Sequence, residues 1–306
     1  ETNMLANLFR KTKIISLSLG TALLFLTFIF YHNSFESLSE NPLKLLGESA
    51  IKTFILIVTL IFLMVQEIRY RHVNVFPIHS LSAVLIVLFL PQGSIGFNGL
   101  IIQFFLVMTL HFISLICNTK DTLKPFFNLT LVLSVLAIFE PLFLWLFVGL
   151  VFLLLEERFR NLKNVMVIVI AFFICFIWAR TIEHYFQLEP LFQRTNSMNF
   201  FDIKKIARDE LLYIALIGSL VLIPIKKSLR RDYISNSLIL SYLFIWLFLG
   251  IYISFFRGTT HLNPWELTLF PLLYLFGIFL NAASDKKVTV VVILLLTIKG
   301  LSLTVG

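Results

Sequence analysis

Apolar runs separated by short charged breaks recur eleven times along the chain, roughly at 14–31, 51–66, 74–90, 98–117, 125–138, 141–155, 164–179, 211–225, 234–256, 265–283 and 288–304. Such runs predict helices that are apolar on every side, and helices of that kind sit in a large core or in lipid. The stretch from Pro125 to Leu155 decides the count. It carries one charge, Glu140, directly before Pro141. A membrane crossing takes ~20 apolar residues, so this stretch is long for one crossing and short for two. Proline disfavours helical geometry at the residue before it. The pattern therefore predicts two short helices that meet at Phe139-Glu140-Pro141.

Charge fixes the expected orientation. With the N-terminus inside, the inner loops hold Arg10, Lys11, Lys13; Arg69, Arg71; Lys120, Lys124; Arg158, Arg160, Lys163; Lys226, Lys227, Arg230, Arg231; and Lys286, Lys287. That is sixteen basic residues against eight outside, the bias that cytoplasmic loops carry. One unbroken helix through 125–155 would invert every later loop and move the Lys226–Arg231 cluster outside. The expected fold is an all-α polytopic membrane bundle, one membrane domain over 1–306, with about eleven spans, N-in and C-out.

Composition agrees. The chain is 58% hydrophobic and 14% charged, against roughly 25% charged in soluble domains. A net charge of +8 would point to nucleic acid in a soluble protein. Here it reads as anchoring to anionic lipid headgroups, so membrane lipids are the expected partner and nucleic acid is not. Cys117 and Cys175 both lie in apolar runs, which predicts neither a disulfide framework nor a metal site. Arg10, Lys11 and Lys13 precede an apolar run to Tyr31 that lacks a small-residue cleavage site. That run reads as a retained anchor, with Met4 as the expected start.

Candidate chemistry gathers on the expected outer side. The first outer loop, His32–Ser49, carries Glu36, Glu40 and Glu48 with a turn at Asn41-Pro42. The longest, 180–210, holds Phe200, Ile203, Ile206 and Ala207 at helical spacing, which predicts a short amphipathic helix in the interface. A third runs from Arg257 to Pro264 and is followed by Trp265, an interface-anchor type. Arg180, His184, Arg257 and His261 all fall at these outer ends. Arginine as a bidentate clamp and histidine as a donor suit a lipid phosphate, and Glu36 or Glu40 would then be a general base. The simpler reading of the same four residues, and the favoured one, is interfacial charges solvated by headgroups. Glu140 is either an intramembrane functional carboxylate or a headgroup-level corner residue, and the topology favours the corner. His79 and His111 read as packed histidines, and Lys299 is expected to reach the outer interface along its stem. Nucleotide loops, HExxH, CxxC and GxSxG are absent, so no cofactor or metal is expected. No internal repeat supports a transporter of the inverted-repeat kind.

Two resemblances follow from particular stretches. Met4–Lys13 running into the first span, with the Asn128–Glu156 segment and its arginine-containing turn, resembles a family of polytopic inner-membrane proteins from Bacteroidota. That likeness implies a bacterial inner-membrane address in the cell envelope and no catalytic motif. The paired short helices in LTLVLSVLAIFEPLFLWLFVGL, Leu129–Leu150, are similar to a stretch of GT-C glycosyltransferases, which use polyprenyl-phosphate sugars. In that family an acidic residue of the first outer loop is the base, which would make Glu36 or Glu40 catalytic. The loop has no paired-Asp or Asp-Glu signature. The leading expectation is a non-catalytic subunit or scaffold of an envelope membrane complex that docks other membrane or envelope proteins. A GT-C-like transferase on polyprenyl phosphate and a lipid or small-solute transporter are the alternatives.

Overall fold

The computed structural model describes residues 13–32, 42–70, 76–90, 95–139, 141–186, 213, 233–256, 267–282 and 285–305. Among these residues every element is helical and no strand occurs. Three helices are long and apolar enough to cross a membrane: Pro42–Leu63, Phe97–Asn118 and Leu162–Tyr185. Shorter apolar helices cover Ser18–Phe30, Leu123–Ile138, Phe143–Leu155, Ser241–Ile251 and Thr289–Lys299. The chain divides into two compact units.

The first unit takes 1–101, 202–231 and 262–306. It contains α1 (Lys13–Thr27) with a π-helical turn (Phe28–His32), α2 (Pro42–Tyr70), α3 (Phe76–Phe89), α9 (Leu269–Ala282) and α10 (Asp285–Val305). α3 is its centre, contacted by α1, α2, α9 and α10. Ala83, Val84, Leu85, Ile86 and Val87 are all buried. Five consecutive buried residues cover every side of a helix, so only an all-round apolar sequence fits there. α2 is one-sided instead. Leu45, Ser49, Thr53, Leu56, Leu60 and Leu63 are buried at helical spacing, while Leu43, Phe54 and Ile61 face outward.

Two details differ from the sequence expectation. The loop expected over His32–Ser49 ends early, because α2 already begins at Pro42. Proline is at home in the first turn, where its missing N–H has no intrahelical partner to lose. Lys44 and Glu48 are exposed on that helix, so their charges do not oppose it. Lys299 does not extend outward. It is buried, with Nζ 5.9 Å from the centre of the Phe89 ring on α3.

The second unit takes 102–201 and 232–261. α4 (Phe97–Asn118) enters it at Ile102, and α5 (Leu123–Phe139), a 3-10 helix (Pro141–Leu146), α6 (Phe147–Leu155), α7 (Leu162–Phe186) and α8 (Tyr233–Phe256) follow. The described part of the helix before Pro141 runs to Phe139, and a 3-10 helix follows from Pro141. α5 and α7 form the main pairing. On α7 the buried positions Ala171, Cys175, Ala179 and Glu183 recur every fourth residue. Small residues at that spacing let two helix backbones approach closely without polar surface. Hydroxyls along the apolar helices are satisfied within their own turn: Thr130 Oγ1 donates to Phe126 O at 2.8 Å, and Thr53 Oγ1 to Ser49 O at 2.7 Å.

Candidate functional site

Two ends of the second unit carry its polar chemistry. At one end the segments 118–124 and 156–164 meet. Arg158 Nη1 donates to Cys117 O at 2.9 Å and Nη2 to Thr119 O at 3.0 Å. These carbonyls lie at the C-terminal end of α4, where the last turn leaves acceptors without helical donors and the dipole favours a cation. Buried Asn164 fastens the same corner. Its Nδ2 donates to Phe159 O at 2.9 Å, and its Oδ1 accepts from Thr122 Oγ1 at 3.1 Å. Lys120, Lys124, Arg160 and Lys163 are exposed around this joint. The chain therefore leaves this end along α5 and returns to it along α6.

At the opposite end lies a small cavity of about 40 Å³ between α5, the 3-10 helix and α7. Its polar lining is Ser134, Cys175, Arg180 and Glu183; its apolar lining includes Leu144, Phe172 and Phe176. Arg180 Nη1 lies 3.0 Å from Glu183 Oε2, one helical turn on. The two side chains differ in exposure, 48% for Arg180 and 9% for Glu183. The guanidinium also sits 5.5 Å from the centre of the Phe176 ring, a cation–π distance. Ser134 Oγ is buried, with the Cys175 thiol as its polar neighbour. Cys175 Sγ points to Leu131 O at 3.9 Å. Trp178 and Tyr185 are exposed on the same end of α7.

A buried polar link ties α4 to α8. Thr109 Oγ1 donates to the Tyr242 hydroxyl at 2.7 Å and Tyr242 is buried. Gly149 of α6 faces that ring: a Cβ there would lie 2.8 Å from Tyr242 Cδ2. Cys117 and Cys175 are free, buried thiols. Among the described residues no group of three His, Cys, Asp or Glu side chains could hold a metal ion.

Of the site residues read from sequence, Arg180 and His184 are described. Both lie on α7 and are exposed. The loop expected from residue 180 therefore starts later, because the helix continues to Phe186. The Arg180–Glu183 pair, three residues apart, supports that extra turn. Glu36, Glu40, Glu140, Arg257 and His261, and the amphipathic helix expected near Phe200, lie outside the described residues. Sequence reasoning passed over Ser134 and did not single out Glu183. The four-residue spacing Ala171-Cys175-Ala179-Glu183 is the signal that places Glu183 on the packed face. No family model, curated protein or solved structure matches this chain.

Proposed function

We propose that the chain is a multi-pass protein of a bacterial inner membrane that acts as a non-catalytic subunit of an envelope complex. In this reading it has eleven spans, N-in and C-out. The meeting of 118–124 with 156–164 supports the paired crossing at 125–155, since a single crossing would separate those loops by a membrane.

The docking role rests on α7. Among the described residues one narrow face of this helix packs on α5, and 17% of its apolar length is buried, against 61% for α4. Met166, Ile170, Phe173 and Ile177 form an outward stripe at helical spacing. Interfaces between membrane helices gain from van der Waals packing, and such a stripe offers that to a partner helix.

The test is a photo-crosslinking residue at Phe173 or Ile177 in native membranes, combined with purification in mild detergent. The expected result is an adduct with one protein that also co-purifies in fixed ratio. Lipid adducts alone at both positions, with the protein purifying by itself, would reject the subunit reading. Retained polyprenyl phosphate on the lone protein would put the GT-C-like transferase first, with Glu36→Gln and Glu40→Gln as the next variants.

A further inference from the structure

On the subunit reading above, we infer that the outward seam of α7 binds one membrane-crossing helix of a different protein, and that this helix carries a carboxylate at the height of Arg180 and His184. The seam is longer than its apolar middle. The stripe Met166, Ile170, Phe173 and Ile177 continues, with the same alternation of three and four residues, to Lys163 at one end and to Arg180 and His184 at the other. All of these side chains are exposed on α7. Such an alternation averages about 3.5 residues, the repeat at which two helices keep one seam in contact over many turns.

The two sides of α7 are built for different neighbours. The side packed on α5 buries the short side chains of Ala171, Cys175 and Ala179 at every fourth residue. The outward seam carries long Met, Ile and Phe side chains instead, so a close approach of backbones is not open there. Knobs of that size fit the holes of a helix crossing at roughly +20°. Lys163 and His184 stand about 32 Å apart along the axis at 1.5 Å per residue. That is close to the ~30 Å hydrocarbon thickness, so a helix lying on this seam would cross the whole layer.

Charge selects the partner. In the orientation proposed above, Lys163 lies at the inner boundary and Arg180 and His184 at the outer one, beside exposed Trp178 and Tyr185. A second copy of this chain, seated on the same seam about a two-fold axis, would set Arg180 against Arg180 and Lys163 against Lys163. Opposed like charges work against such a dimer. A carboxylate from another protein meets the outer cations instead. Arg180 is held ready for it: Glu183, 9% exposed, lies 3.0 Å from Nη1, while Arg180 itself is 48% exposed. A guanidinium has five N–H donors, so it can fork onto a second carboxylate while Glu183 fixes its position.

The experiment places a photo-crosslinking residue at Ile177 of the full chain in native membranes and maps the adduct by mass spectrometry. The expected adduct is one transmembrane segment of another protein, with Asp or Glu at its outer boundary. Arg180→Gln should lower its yield on the order of tenfold, the scale of one charge-assisted hydrogen bond. Arg180→Lys should keep part of it, since the charge stays and the fork is lost. Arg180→Gln also leaves Glu183 without its cation, so a second arm keeps the chain native. Two synthetic transmembrane helices, with leucines at seam positions and either Glu or Gln at the outer boundary, are titrated into vesicles holding the native chain. The Glu helix should bind on the order of tenfold more tightly by energy transfer.

A partner segment with no carboxylate at that height would overturn the inference while the subunit reading stands. So would an adduct yield unchanged in Arg180→Gln, or equal binding of the Glu and Gln helices. An adduct between two copies of this chain would overturn it as well. Lipid adducts alone, with the protein purifying by itself, would reject the subunit reading and the inference together.

Discussion

Gly149→Ala tests the packing of the second unit where α6 meets the Tyr242 ring. A Cβ at 149 would sit 2.8 Å from Tyr242 Cδ2 and 3.3 Å from Cε2, inside carbon contact distance. The ring has little freedom to retreat, because it is buried and its hydroxyl is held by Thr109 at 2.7 Å. Overfilling a packed site costs about 1–3 kcal/mol. Alanine regains about 1 kcal/mol over glycine in a helix interior, so the expected net loss is roughly 1 kcal/mol. The sign should reverse when the ring is gone. In a Tyr242→Leu background the clash disappears and the helical preference remains, so Gly149→Ala should be neutral or stabilising by up to about 1 kcal/mol. The assay is equilibrium unfolding in detergent, followed by labelling of Cys117 and Cys175, which are buried in the fold. Double-mutant analysis then gives the coupling directly. A stabilised Gly149→Ala in the native background, or an effect that does not depend on residue 242, would refute the packing argument.

Other residues give sharp expectations. Arg158→Ala should speed hydrogen exchange across 117–124, since two carbonyls lose their donors, and Arg158→Lys should restore little because one ammonium cannot repeat the fork. Ala171→Leu or Ala179→Leu should force α5 and α7 apart, cost about 1–3 kcal/mol and make Cys175 react faster with maleimide under native conditions. Single cysteines placed at Lys120 and Arg160 in an otherwise cysteine-free chain should label from the same side of sealed vesicles, and one at His184 from the other. Labelling of Lys120 and Arg160 from opposite sides would defeat the paired crossing.

The fold was most legible where an apolar run stopped sharply. The run 98–117 became Phe97–Asn118, and a change from α to 3-10 geometry falls between Phe139 and Pro141, where proline was expected to interrupt the helix. Legibility failed where charge was taken as the end of a helix. Lys44 and Glu48 are carried on the exposed side of α2, and Arg180 and His184 on the last turns of α7. A helix that leaves a membrane keeps its hydrogen bonds while its side chains turn polar, so hydropathy marks the lipid boundary and not the helix boundary. The candidate cavity was only partly readable. Arg180 stood out by charge, but Ser134 is one of many hydroxyls in apolar helices and most of those bond within their own turn. Only packing against α7 separates it from them.

The 3-10 segment after Pro141 sets the reach of the returning arm. α5 has seventeen residues and climbs about 25.5 Å at 1.5 Å each. The return has only fifteen, six in the 3-10 helix and nine in α6. At about 2.0 Å and 1.5 Å per residue these also descend about 25.5 Å. A wholly α-helical return would fall about 3 Å short. The tighter coil thus acts as a stretched link that equalises two arms of unequal residue count, and Arg158 arrives level with the end of α4. Under the proposed paired crossing, two arms this much shorter than a ~30 Å hydrocarbon layer would require the bilayer around them to thin by a few ångströms.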